Sequence, residues 1–318
     1  MNFRTQIPIP KSTHSIDYNS KIMSLGSCFA VNMSEKLHYF KFQNFCNPFG
    51  ILFHPLAIEK FIAFAVAEKV FTEADIFFYN ERWHCYAAHS DLSNANPLEL
   101  INDLNKIIQL TWKQLSEASH IIITFGTAWA YQNIESNAIV ANCHKVPQKQ
   151  FKKELLAIDI IQKSIQNTID LIHSINREVK IIFTVSPVRH IKDGFVENQL
   201  SKSHLIAAIH QVLITECYQL KTEYFPSYEI MMDELRDYRF YNEDMLHPSQ
   251  VAIDYIWKRF KEANISEAAL VAMEEVENIQ KSLSHKPFNP SSESHQKFEA
   301  KLKDKITTLV SQYSFMKF

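Results

Sequence analysis

The chain has 318 residues, 46% of them hydrophobic and 21% charged, enough for one large α/β domain with an extension or for two small domains. Its formal net charge of −2 gives no reason to expect nucleic acid or an anionic membrane as a partner. No stretch approaches the roughly 20 apolar residues of a membrane span, and the opening MNFRTQIPIPKSTHSIDYNS lacks the apolar run of a signal peptide.

The first predicted unit is strand, tight turn and helix. KIMSLG (21–26) is a short apolar run closed by Gly26, and SCFAVNMSEKLHYF then places Phe29, Met33, Leu37 and Phe40 at helical spacing. NPFGILFHP (47–55) reads as a loop punctuated by Pro and Gly, PLAIEKFIAFAVAEK as an apolar helix, and FFYNERWHCYAAHSDLS as a hairpin with a polar turn. A long amphipathic helix is expected over 97–118, with Pro97 in its first turn. It leads into HIIITFG (120–126), a β-branched run typical of a buried parallel strand.

The cycle then repeats. A helix is expected over 151–176, a strand over 179–187 stopped by Pro187, a helix over 200–220 and a fourth strand, YEIMMD, over 228–233. Strands alternating with long helices predict a mostly parallel sheet covered on both faces, with the active site beyond the carboxyl ends of the strands. Residues 26–28, 126–129, 186–190 and the loop after Asp233 should therefore meet at one edge. From about residue 262 two charged helices, 261–285 and 297–313, flank the linker-like KPFNPSSES. The expected division is a domain over 1–262 and a helical C-terminal extension over 263–318.

Two counts narrow the chemistry. The five cysteines (Cys28, Cys46, Cys85, Cys143, Cys217) are scattered and form no CxxC pair, which suits reduced thiols in a cytoplasm. Only 4 glycines occur, against the roughly 22 of ordinary usage. Those kept should mark positive φ or close approach, and Gly26 and Gly126 each end a predicted strand.

Beyond the last predicted strand lies YNEDMLHPSQVAIDYIW, in which Asp244 and His247 stand three apart before Pro248 and an apolar helix. On a turn, that spacing lets the carboxylate hold one imidazole nitrogen while the other faces outward, the orienting acid and general base of a nucleophilic triad. A helix-capping segment with a surface Asp and His is the plain alternative. The pair gains weight from the strand–Gly–nucleophile–helix turn near the start.

Here the residues resemble a known family. IMSLGSCFA is similar to the first block of the SGNH (GDSL-like) hydrolases, IIITFGTAW to the strand and Gly-Thr of their third block, and DMLHPSQVAIDYI to their last. With NPFGILFHP, NCHKVPQ and SPVRH added, the set resembles specifically the GSCFA family, bacterial proteins grouped with the SGNH hydrolases, over about residues 18–260. The resemblance implies a three-layer α/β/α, flavodoxin-like fold. It also implies an esterase, acyl hydrolase or acyltransferase acting on a small ester or acylated carbohydrate, with Asp244 orienting His247 as general base. No cofactor or metal is expected.

Two departures from the superfamily pattern matter. The nucleophile should stand two residues after Gly26, which puts Cys28 in that place and Ser27 where Asp is usual. Cys28 at a helix start beside His247 is the favoured nucleophile; Ser27 is second, and a small buried Cys in a tight turn is the inert alternative. The third block normally reads Gly-x-Asn, the Asn donating to the oxyanion, but Gly126-Thr127 is followed by Ala128. Replacement donors are Thr127, the Trp129 indole or Asn142, together with the backbone N–H groups of Cys28 and Gly50, the latter matching the second-block Gly.

Further candidates lie on the same rim. Arg189 and His190 of SPVRH suit an anionic or sugar group, or Arg189 only ties down its loop. His144 and Lys145 suit a cleft wall, and Gly126 and Trp129 the substrate side. His84, Cys85 and His89 match no metal-ligand spacing. A carbohydrate- or partner-binding protein on a hydrolase scaffold is the rival expectation, favoured by the missing third-block Asn.

Overall fold

Five strands in the computed structural model, which describes residues 5–215 and 221–318, pair in parallel as one central sheet. The first unit is as expected: β1 (Lys21–Gly26) turns directly into α1 (Cys28–Tyr39). A half-buried strand, β2 (Gln43–Cys46), follows, then α2 (Pro55–Val66), the hairpin β3 (Phe77–Tyr79) and β4 (Arg82–His84), and α3 (Pro97–Glu117). Asn96 caps α3, its side chain accepting from the Leu98 N–H at 2.9 Å, with Pro97 in the first turn.

The buried strand β5 (His120–Phe125) comes next, followed by a small antiparallel sheet of β6 (Trp129–Asn133), β7 (Ile139–Val140) and β8 (Phe151–Leu155). The chain continues through α4 (Ile158–Ile175), β9 (Lys180–Val185), α5 (Phe195–Leu213) and β10 (Thr222–Phe225). Three more helices complete it: α6 (Gln250–Asn264), α7 (Glu267–Ser284) and α8 (Glu293–Gln312).

The central order β10-β9-β5-β1-β2 is the 2-1-3-4-5 doubly wound order when its strands are numbered along the chain. Strand alternation builds three layers. Met23, Leu25, Ile121, Ile123, Ile181 and Phe183 face α2 to α5, while Ile22, Ile122 and Ile182 face α1, α6 and α7. The order reverses between β1 and β5, so the crevice for a ligand lies beyond Gly26 and Phe125.

The C-terminal helices belong to the second of these layers. Ala269, Met273, Val276 and Ile279 of α7 and Leu309 of α8 share a core with Phe29, Met33 and Leu37 of α1. Tyr18 stacks on Phe42 at 4.4 Å and meets Tyr313 at 4.9 Å.

The structure corrects three expectations. The fourth core strand is Thr222–Phe225, not 228–233, and residues 227–234 are helical. Pro226 cannot donate to a ladder, and a six-residue segment with the short apolar stretch Ile230–Met232 reads equally as strand or buried helix. The segment 151–176 opens as β8, whose partner β6 is supplied from the loop after Gly126. The helix expected over 200–220 begins earlier, at Phe195, and ends at Leu213, while its predicted end, 216–220 with Cys217, lies outside the described residues. Among the described residues no helix is long and apolar enough to cross a membrane.

Candidate functional site

The turn after β1 is built by what a side chain would hit. Gly26 has φ of +125°, and a Cβ there would sit 2.0 Å from the Thr124 carbonyl oxygen, so only Gly lets β1 run this close to β5. Its N–H donates to the Asn47 side chain at 2.7 Å, and the Ser27 N–H donates to the Thr124 carbonyl at 3.0 Å. Ser27 is fully buried and caps α1, its hydroxyl accepting from the Phe29 N–H at 3.3 Å. Cys28, half-buried, is the first residue of the helix. Burial pushes its thiol up; the Lys202 charge and the N–H groups of Phe29 and Cys28 pull it back.

Lys202 is the residue that sequence reasoning missed. It sits on α5 in a polar row, Asn198, Ser201 and Lys202, on the same buried face as Leu205, Ala208 and Ile209. The ammonium donates to the carbonyls of Gly126 at 2.6 Å and Ser186 at 2.8 Å and lies 5.6 Å from the Tyr228 ring centre. It thus ties together the segments that follow β5 and β9. Burial lowers its pKa to about 7, Cys28 opposing that shift and Arg189 adding to it. The available signal was its period: a Lys on the apolar stripe of a helix needs a partner.

The Asp244–His247 turn closes on itself. Oδ1 of Asp244 accepts from the N–H groups of Leu246 at 2.9 Å and His247 at 3.0 Å, and Oδ2 meets His247 Nδ1 at 2.5 Å. These bonds, the His247 N–H first, hold the carboxyl down at about 2. The Arg189 N–H donates to the Leu246 carbonyl at 3.1 Å, docking the turn on the segment after β9. With Nδ1 held, Nε2 is the nitrogen left for chemistry.

A cleft of about 620 Å³ opens between this rim and the small sheet, lined by Phe53, Thr127, Trp129, Asn142, Arg189, His190 and His247 among others. His190 carries an Nε2 that is buried and without a partner among the described residues. Its pKa is driven down to about 3, by burial first and then by the charges of Lys202 and His247. Arg189 hydrogen-bonds to Tyr241 and reaches Met232 Sδ at 3.8 Å, its Nε having no partner. Asn142 Oδ1 accepts from the His144 N–H at 2.7 Å and the Ser90 hydroxyl at 3.2 Å.

Other expected members take different places. The Thr127 hydroxyl accepts from the Trp129 N–H at 3.0 Å and lies 3.0 Å from that of Ser201, while the Trp129 indole donates to the Glu197 carbonyl at 3.4 Å. Gly50 does not offer a free donor: its N–H closes a turn on the Asn47 carbonyl at 2.8 Å. His144 is not on the cleft wall but buried against Phe77 and His84, with Nε2 2.8 Å from the Cys85 carbonyl oxygen and its pKa down at about 4, chiefly from burial. Its neighbour Lys145 does line the cleft. Gly126 acts by packing, since a Cβ would meet Phe53 Cδ1 at 3.0 Å and Ser27 Cβ at 3.2 Å. Among the described residues neither Ser27 nor Cys28 hydrogen-bonds to His247.

No curated protein matches the chain. Residues 276–318 match the family described as GSCFA domain protein, C-terminal domain, which takes in the end of α7 and all of α8. Residues 21–260 match the GSCFA family, a span that runs from the start of β1 through Cys28, Lys202 and His247 into α6, so the chain belongs to that family.

Proposed function

We propose that this protein is an acyl-transferring enzyme of the SGNH hydrolase kind, an esterase or acyltransferase with Cys28 as nucleophile, His247 as general base and Asp244 as its orienting acid. The observation that carries the reading is the Asp244–His247 pair, 2.5 Å across, with His247 on a cleft at the carboxyl edge of the sheet where the Gly26 turn also lies. Cys28 is favoured over Ser27 because the Ser27 hydroxyl is buried and spent on capping. Catalytic hydrogen bonds in a ligand-free site often form only with substrate in place, and this reading requires that the thiol and imidazole meet on binding.

In the proposed reaction His247 Nε2 takes the Cys28 proton, and the thiolate attacks the ester carbonyl to give a tetrahedral oxyanion. Collapse breaks the C–O bond, and His247 returns the proton to the departing alkoxide. Water or an acceptor hydroxyl, deprotonated by His247, then attacks the thioester, releasing the acyl group and restoring the thiol. The oxyanion donors are the Cys28 N–H, the Thr127 hydroxyl and the Asn142 amide, whose Oδ1 is already held by two donors.

The test is turnover of p-nitrophenyl acetate by Cys28→Ala and Ser27→Ala. Cys28→Ala should lose at least about 100-fold in kcat, and Ser27→Ala should keep its activity per folded molecule. Activity surviving both changes defeats the triad. A second reading, a carbohydrate- or partner-binding protein, is favoured by the engaged Gly50 N–H and Trp129 indole. It predicts no thiol more reactive with iodoacetamide than the rest.

A further inference from the structure

We propose that the cleft holds an anionic group of its ligand, a carboxylate or phosphate carried on the non-reacting part of the ester, through Arg189, Lys145 and Lys192. The proposal deepens the acyl-transfer reading and rests on it for the word ester. Its ground is the charge balance of one opening in a chain whose overall charge is close to neutral.

Three cationic residues line the cleft: the exposed Lys145 and Lys192, and Arg189. One carboxylate, Asp193, lines the cleft with them, and that of Glu197 stands over Gly194 at its edge. Asp193 pairs with Lys153, and Asp244 is held by His247. Lys145, Lys192 and Arg189 form no ion pair among the described residues. Buried Lys202, behind the wall, adds a further positive charge that both Arg189 and His190 feel.

Like charges around one concave opening repel one another, and a bound anion relieves that repulsion. The Arg189 fork is suited to the task. Its partners are a tyrosine hydroxyl and a thioether rather than a carboxylate, both from the neighbouring opening that Arg189 also borders, and its Nε is buried without a partner. A planar guanidinium in that state accepts a two-oxygen group in a way a lysine cannot. The remaining wall is aromatic, from Phe53, Trp129, Tyr131 and Phe151, and suits the uncharged body of such a molecule. The volume, about 620 Å³, is that of a small-molecule site.

Two experiments decide it. Calorimetric titration of the whole protein at low salt with benzoate, phenyl phosphate and uncharged benzamide should show at least one anion binding about tenfold or more tightly than benzamide. That preference should shrink toward about 0.5 M salt and disappear in the Lys145→Gln/Lys192→Gln double variant and in Arg189→Met. The preferred anion separates a carboxylate-bearing ligand from a phosphate-bearing one. Equal binding of all three probes, or a preference indifferent to salt, overturns the anion site.

The second experiment compares kcat/KM for p-nitrophenyl butyrate and the p-nitrophenyl monoester of succinic acid, which are matched in acyl length. A salt-sensitive preference for the succinate ester supports both readings together. Turnover of neither ester, with anion binding intact, removes the acyl-transfer reading and leaves an anion-binding cleft. Turnover of butyrate without anion binding keeps the enzyme and removes this inference.

Discussion

The Lys202 ammonium sits 2.6 Å from the Gly126 carbonyl oxygen, so a helix side chain closes over the carboxyl end of the central strand β5. A buried cation satisfied by carbonyls is neutralised only in part, and the acidic group it acts on is Cys28. Replacing Lys202 with Met should therefore slow alkylation of Cys28 by iodoacetamide about tenfold near neutral pH, read by mass spectrometry of the modified peptide. Because the ammonium loses its proton at about 7, the advantage of the native protein should be full below that pH and fade above it. Equal rates for both proteins at pH 6 would separate Lys202 from the thiol.

Two glycines at the same edge should respond very differently to a methyl group. Gly26→Ala combines a left-side φ with a Cβ 2.0 Å from a backbone oxygen, and neither β1 nor β5 can yield without breaking the sheet. A loss on the order of 3 kcal/mol or more is expected, seen as a large drop in the denaturation midpoint. Gly126→Ala has an ordinary backbone, and its nearest neighbour is the edge of the Phe53 ring at 3.0 Å. Its cost should be about 1–2 kcal/mol. A Gly26→Ala protein as stable as the native one would mean that the turn is not as described.

Acid should destabilise the fold through buried histidines. His144 has its pKa lowered from 6.5 to about 4 by burial, and His54 likewise to about 4. The unfolded chain binds a proton at each of these sites first, so stability is complete above about pH 6.5 and falls as pH drops toward 4. Each unit of separation, fully expressed, corresponds to about 1.4 kcal/mol. Melting temperature measured across that window should fall on acidification, and His144→Asn should flatten the slope. A native slope no steeper than that of the variant would count against the buried, neutral imidazole.

Much of the architecture was legible because buried parallel strands read as plain apolar runs: β1, β5 and β9 are each expected from their residues alone. β2 was not, since QNFC is half-buried at a sheet edge and carries no run to detect. The small sheet was hidden for another reason. β8 reads FKKEL, whose strand character depends on pairing with β6, a contact no local pattern encodes.

At the site, the D-x-x-H turn was readable because both partners are neighbours in sequence and the geometry is local. Lys202 showed only as a lysine on an apolar stripe; its partners were hidden, because they are carbonyl groups beyond distant strands, and a carbonyl leaves no mark in a residue code. His144 misled for the converse reason: a polar residue in a loop looks available until Cys85 and Phe77 close over it.

The layer shared by α1, α7 and α8 ties the C-terminal helices to the helix that Cys28 opens. Phe29 and Met33 share one buried cluster with Met273, Val276 and Ile279, and Gln280 donates to the Tyr39 carbonyl at 3.0 Å where α1 ends. Cys28 opens a helix whose buried face joins that cluster and whose far tip is tied by a hydrogen bond. The end of the chain thus works as a backstop for the helix that begins at Cys28.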